Sequence, residues 1–204
     1  MADDRLKNYR DRRASGKSPE PCGGRARDSA GSAPIFVIQK HDASSLHYDF
    51  RLEIDGVLKS WAVPKGPSTD PSEKRLAVQT EDHPLAYADF EGVIPENEYG
   101  GGTVLVWDKG TFENAKRDEA GNITRSLAQC LADGHLIVTL AGEKLTGGYS
   151  LTHFRTEHGK RQWLLVKMDD AAADARRNPV STQDKSVLSG RSTAAIAREE
   201  SDDG

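Results

Sequence analysis

Apolar and polar residues alternate along much of the middle of this chain, and the alternation is strictest in HYDFRLEI at 47–54. A period of two predicts a strand, with Tyr48, Phe50, Leu52 and Ile54 on one face and His47, Asp49, Arg51 and Glu53 on the other. The run stops at Asp55-Gly56 and resumes as VLKSWAV at 57–63, the pattern of a tight hairpin. Further strand-like runs are PIFVIQ (34–39), RLAVQT (75–80), TVLVW (103–107), GTFE (110–113), HLIVTL (135–140), GYSLTHF (148–154) and QWLLVKM (162–168). Their spacing by short turn clusters suits antiparallel pairing in a closed barrel or a sandwich. Two stretches read as short helices. SLAQCLAD at 126–133 has Ser126 at its start and Gly134 in the C′ position, and DDRLKNYRDRR lies near the N-terminus.

The ends read differently from the middle. Residues 16–34 are Gly, Ser, Pro, Ala and charge with no apolar period, and the stretch beyond Met168 is equally poor in core residues. The expected organisation is therefore a basic, partly disordered N-terminal arm (1–33), a strand-rich domain (34–170) and a disordered C-terminal tail (171–204). With 204 residues and 36% hydrophobic, the chain has material for one core. The net charge is −4, with +3 on residues 1–28 and −3 on residues 169–204. That excludes a wholly basic nucleic-acid binder, so any contact with DNA or RNA must be local. No stretch approaches the roughly 18 apolar residues of a membrane span, and the start MADDRLKNYRDRR lacks a signal peptide's apolar segment. A cytoplasmic, monomeric protein without membrane contact is the expectation. Cys22 and Cys130 have neither a disulfide nor a zinc spacing and read as reduced thiols.

The polar face of 47–54 carries the chemistry. A solvated edge strand would show lysine, threonine and glutamate there; this one shows imidazole, carboxylate, guanidinium and carboxylate, roughly 6.5–7 Å apart. His41 lies six residues upstream, and a turn at Asp42-Ala43-Ser44-Ser45 returns it beside His47. Two imidazoles and a carboxylate make a ligand set for Mn²⁺, Fe²⁺ or Zn²⁺. A His-x-Asp pair on one strand face often arises by chance. Arg51, a fixed fork for phosphate, and another histidine in Glu81-Asp82-His83-Pro84 set this case apart. Trp61, Trp107 and Trp163 are expected in the core or at its rim, His135, His153 and His158 at structural or surface positions, and Gly100-Gly101-Gly102 as a bend entering a strand.

These residues resemble a known family, the 3′-phosphoesterase domain of bacterial DNA ligase D and its stand-alone relatives. The resemblance runs through FVIQKHDASSLHYDFRLEIDGVLKSWAVPKGPS (36–68), RLAVQTEDHPLAYADFEGVIPENEYGGGTVLVWDKGTFE (75–113), GEKLTGGYSLTHF (142–154) and WLLVKMDD (163–170). It implies a mainly β fold, a compact antiparallel β-barrel with a few short helices and loosely packed termini. It also implies a divalent metal, typically Mn²⁺ with Co²⁺ or Zn²⁺ as alternatives, on His41, His47 and Asp49. Arg51 corresponds to the phosphate clamp, and His83 and Tyr87 to the family's second histidine and its tyrosine partner. Lys65, Arg75 and Glu81 correspond to polar residues near the active site. Upstream, Arg13 and Glu20 align with the family's arginine and glutamate, while Ala14 stands where the family has aspartate; Asn97 stands where a glycine is common.

The implied activity is metal-dependent healing of DNA 3′ ends, by removal of a terminal ribonucleoside and of a 3′-phosphate to leave a 3′-hydroxyl. The implied setting is break repair, beside a separate ATP-dependent ligase, a polymerase or Ku. Two other readings fit the residues alone: a two-histidine, one-carboxylate non-haem iron oxygenase, and a non-catalytic DNA-end-binding module.

Overall fold

A computed structural model describes residues 5–13, 18–21 and 32–202. Short helix α1 (Lys7–Arg12) precedes nine strands: β1 (Ile35–Asp42), β2 (Leu46–Ile54), β3 (Val57–Val63), β4 (Lys74–Gln79), β5 (Gly92–Ile94), β6 (Gly102–Asn114), β7 (His135–Gly142), β8 (Thr146–Glu157) and β9 (Lys160–Lys167). A 3-10 turn (Leu85–Asp89) lies between β4 and β5, helix α2 (Leu127–Ala132) between β6 and β7, and helices α3 (Pro179–Thr182) and α4 (Thr193–Asp202) follow the barrel. The strand order β1-β2-β3-β4-β9-β8-β7-β6 is closed by pairing of β1 with β6, every contact antiparallel. Closure leaves no long edge exposed, and β5 is added alongside β6.

The hairpin after β2 turns at Asp55 and Gly56, with φ of 54° and 79°, the geometry of a two-residue type I′ turn. Alternation then divides the outer residues from the inner ones. Tyr48, Phe50, Leu52 and Ile54 of β2 pack inside with Phe36, Ile38, Trp61, Trp107 and Trp163. A smaller apolar cluster forms on the outside of the same wall from Tyr9, Val37, Leu58, Leu85, Tyr87 and Val106. The wall of β1, β2 and β3 is thus covered on both faces, and β2 is buried from Tyr48 to Ile54. Helix α2 carries the expected cap, with the Ser126 side chain accepting from Gln129 N and Gly134 at φ 78°.

Two expectations change. The strands expected at 103–107 and 110–113 are one strand, β6, because Asp108-Lys109-Gly110 is not a turn. The Asp108 carboxylate is fully buried and accepts backbone N–H bonds from Glu143, Lys144 and Leu145 at 2.9–3.0 Å. Gly110 passes so close to the Ala141 carbonyl that a Cβ there would lie 2.0 Å from its oxygen. Second, the chain beyond Met168, which composition reads as a disordered tail, lies along the barrel as far as Asp202. Ile196 joins the interior cluster, Trp107 Nε1 donates to Gln183 O at 2.6 Å and Val187 N donates to Val106 O at 3.0 Å. The segment has no core of its own, and a few residues borrow the barrel's, which no periodicity reveals. Ala14 and Cys22 lie outside the described residues. Among the described residues, no helix is long and apolar enough to cross a membrane.

Candidate active site

The outward side chains of the doubly covered wall converge in a cleft of about 400 Å³. β1 and β2 pair His41 directly opposite His47, and their ring centroids lie 4.7 Å apart. Asp49 follows two residues on, its oxygens 3.5 Å from His41 Nδ1 and 3.7 Å from His47 Nε2. One ligand atom from each residue fits within 4.8 Å of the others. The remaining ring nitrogens are held from behind: His41 Nε2 is 2.8 Å from the Gly100 carbonyl and His47 Nδ1 is 2.9 Å from the Ser45 carbonyl. A carbonyl behind each ring fixes its tautomer and leaves the facing nitrogen as an electron-pair donor. The three residues therefore suit a divalent ion by donor type and by preorganisation.

Arg51 comes next along the same face, 2% exposed, and its guanidinium is almost fully engaged. Nε donates to Gln39 Oε1 at 2.8 Å, Nη1 to Ser60 Oγ at 2.8 Å, and Nη2 to Asp49 Oδ2 at 3.0 Å; Nη1 also lies 3.0 Å from His83 Nδ1. Of five N–H donors, one on Nη2 has no partner among the described residues. Burial alone would raise the Asp49 pKa, but the Arg51 charge, the His41 hydrogen bond and the charge of His47 hold it well below the carboxylate range.

His83 is placed by a two-bond backbone bridge to Leu58, at 2.8 and 3.0 Å, which joins the turn before the 3-10 helix to β3. Its ring is 4% exposed and packs edge-on against Tyr9 and Tyr87. Burial first, then the charges of Arg51 and Arg13, push its pKa well below 6.5, so the ring is neutral near pH 7. An unperturbed histidine would titrate close to neutrality; this one is buried between two guanidinium groups. Tyr87 donates to Glu20 Oε1 at 2.8 Å, and its own pKa is raised by burial.

The N-terminal segment reaches the cleft through Arg13 and Glu20. Arg13 Nη2 is 2.8 Å from Glu20 Oε1 and Nη1 is 3.5 Å from Glu81 Oε1, and its guanidinium sits 3.8 Å above the Tyr9 ring. Burial would lower the Arg13 pKa, but the hydrogen bond and charge of Glu20 raise it beyond the ordinary arginine value. Of the residues anticipated from sequence, His41, His47, Asp49, Arg51, His83, Tyr87, Arg13, Glu20 and Glu81 all border the cleft. Lys65 and Arg75 do not. Lys65 is an exposed residue of the turn after β3, and Arg75, on β4, shares the inward-facing phase of Ala77 and pairs with Glu73. Gln39, Ser60, Tyr99 and Lys160 belong to the neighbourhood but were not anticipated. Gln39 shows the one usable signal, a polar residue in an apolar run two positions before His41, on the same strand face.

An antiparallel β-barrel with a His-His-Asp cluster and a buried arginine on its outer wall is the class that fold and site define. Residues 39–153 match the family model of the DNA ligase D 3′-phosphoesterase domain. The chain is 47% identical over 188 residues to the multifunctional non-homologous end joining protein LigD of Pseudomonas aeruginosa, covering 91% of this chain and 21% of that protein. It is 47% identical over 165 residues to the multifunctional non-homologous end joining DNA repair protein LigD of Mycobacterium tuberculosis, covering 81% of this chain and 20% of that protein. A Mycolicibacterium smegmatis relative is 45% identical over 170 residues. The chain spans about a fifth of the length of these relatives. It belongs to the DNA ligase D 3′-phosphoesterase domain family.

Proposed function

We propose that this chain is a metal-dependent phosphoesterase that heals DNA 3′ ends, removing a terminal 3′-ribonucleoside and a 3′-phosphate to leave a 3′-hydroxyl. The observation that carries the reading is the join between two halves of one site: Arg51 is hydrogen-bonded to Asp49 at 3.0 Å, and Asp49 belongs to the His41–His47–Asp49 cluster. A bound phosphate meets fixed positive charge from both sides, where negative charge develops as the ester bond breaks. The guanidinium beside the ligand carboxylate offers a fixed donor to a phosphate oxygen next to the ion, and the pairing favours phosphoester chemistry.

His41, His47 and Asp49 would hold the ion, Mn²⁺ being the first choice. A bound divalent cation supplies Lewis-acid polarisation of a phosphoryl oxygen. Arg51 directs its uncommitted Nη2–H to a second non-bridging oxygen and is kept in place by Gln39 and Ser60. His83 stays neutral. Its Nδ1 lies 3.0 Å from both Arg51 Nη1 and the Glu81 carbonyl; in the tautomer that accepts from Arg51, the proton resides on Nε2, which acts as donor to the phosphate or to the leaving oxygen. Tyr87 and Glu20 fix the ring from the other side. Water is the nucleophile: the phosphorus–oxygen bond to the leaving group breaks, and the leaving oxygen gains a proton as the attacking water loses one.

The relatives' names place them in non-homologous end joining. By extension, this chain works on break ends in company with an ATP-dependent ligase, a polymerase or Ku. The decisive experiment uses 5′-labelled DNA ending in a 3′-phosphate or in one ribonucleotide, tested with Mn²⁺, Co²⁺, Zn²⁺ and chelator. Shortening to a 3′-hydroxyl product with metal, and loss of it with chelator or in His47→Ala, is expected. Undiminished turnover in chelator overturns the reading.

A further inference from the structure

A second recess of about 480 Å³ opens beside the cleft and shares Thr80, Glu81, Tyr99 and Lys160 with it. It is roofed by the β8–β9 hairpin, whose two-residue turn has His158 at φ 49° and Gly159 at φ 75°, a type I′ turn that sets Lys160 rigidly at the start of β9. The Lys160 ammonium forms no hydrogen bond or ion pair with any described residue. Glu157, opposite it in the hairpin register, is paired with Arg155 at 3.0 Å. Arg161 beside it packs over the Trp163 ring at 4.8 Å without an acidic partner among the described residues. Tyr99 stands at the junction, 47% exposed, with the Arg12 guanidinium 4.4 Å from its ring centre.

The sheet order sets the scale. From β2, which carries Asp49 and Arg51, the wall passes through β3 and β4 to β9. Three strand spacings amount to about 14 Å, which puts Lys160 at the mouth that cleft and recess share, away from Arg51. An uncompensated lysine beside a half-exposed aromatic ring, opening from a phosphate-sized cleft, matches the repeating unit of a nucleic-acid strand: one phosphate and one base per step.

We propose that this recess is a second subsite, which takes the nucleotide on the 5′ side of the reacting terminus, with Lys160 on its phosphate and Tyr99 against its base. The subsite rests on the phosphoesterase reading. It accounts for strand binding by a protein of net charge −4, since the attraction is concentrated where the strand runs.

The test compares a 3′-phosphorylated oligonucleotide with a mononucleoside 3′-phosphate, in Mn²⁺, over a range of salt. In the unaltered chain the oligonucleotide is preferred in kcat/KM. Lys160→Gln is expected to raise KM for the oligonucleotide about fivefold and to flatten the slope of log KM against log salt by about one. Tyr99→Leu is expected to cut the preference for the oligonucleotide about fivefold or more, and Tyr99→Phe to keep it. An unaltered chain without that preference, or variants that retain both preference and salt slope, overturns the subsite. If the unaltered chain turns over neither substrate, the phosphoesterase reading fails, and the subsite falls with it; that result differs from the loss of preference alone.

Discussion

The two faces of β2 are buried to nearly the same degree and made of opposite chemistry. Inside, Phe50, Leu52 and Ile54 lose water and need nothing in return. Outside, Asp49, Arg51 and Glu53 are 6%, 2% and 8% exposed, and each keeps its place only because partners replace the lost water. Glu53 accepts from Ile35 N at 3.0 Å, while Asp49 and Arg51 hold each other and a ring of Gln39, Ser60 and His83. Buried charge of this kind is a weak source of stability, and well-packed apolar residues would do as well or better. The inner face therefore specifies the fold. The outer face is maintained at an energetic cost that the proposed chemistry would explain.

The sharpest test of that division is to remove a member of the His41–His47–Asp49 cluster. His41→Ala or His47→Ala is expected to bring metal-dependent 3′-end processing down to background in an end-labelled DNA assay, while the thermal midpoint moves little without added metal. A midpoint that collapses in either variant breaks the comparison. The inner counterpart is Phe50→Ala, expected to cost about 3–5 kcal/mol in denaturant unfolding through the cavity it opens, a large part of a typical stability of about 5–15 kcal/mol. Activity per folded molecule should survive it. Between these lies Arg51→Lys, which keeps the charge and loses the fork. A fall in kcat of about a hundredfold is expected, the scale of one lost preorganised donor, with a smaller change in stability than Phe50→Ala.

How much of this division could be read from residues alone depends on how far apart the contributing residues lie. The alternation in 47–54 separated the inner set from the outer one, and His41 could be paired with His47 because a short turn joins their strands. The barrel followed from strand count and from the family resemblance together. Placement could not be read where a residue's phase or its partner lies elsewhere in the chain. Arg75 is polar and near the family motif, yet it sits on the inward phase of β4. Lys65 lies past the end of β3, in a turn. Ser60 enters the site because β3 places it opposite Arg51, and Lys160 because β9 closes the wall more than a hundred residues later. Ile196, in a segment without periodicity, shows the same limit for packing.

The smallest expected effect concerns protons, and it tests whether His83 belongs to the costly face. Burial and two guanidinium neighbours lower its folded-state pKa, whereas the unfolded chain returns it to about 6.5. Below that value the unfolded state binds a proton that the folded state does not, so stability falls as pH falls, by at most about 1.4 kcal/mol per pH unit from this one group. The contribution is fully present above pH 6.5 or so, and the loss continues down to the lowered folded pKa. Asp49, whose pKa is also lowered, adds its own loss only below the unfolded carboxylate pKa of about 3.9, so the two are separable by pH. Denaturant unfolding between pH 5 and 7 should therefore show a shallower slope in His83→Gln than in the unaltered chain. Equal slopes would mean that the ring takes up its proton in place, and the donor role assigned to its Nε2 would then fall to the imidazolium.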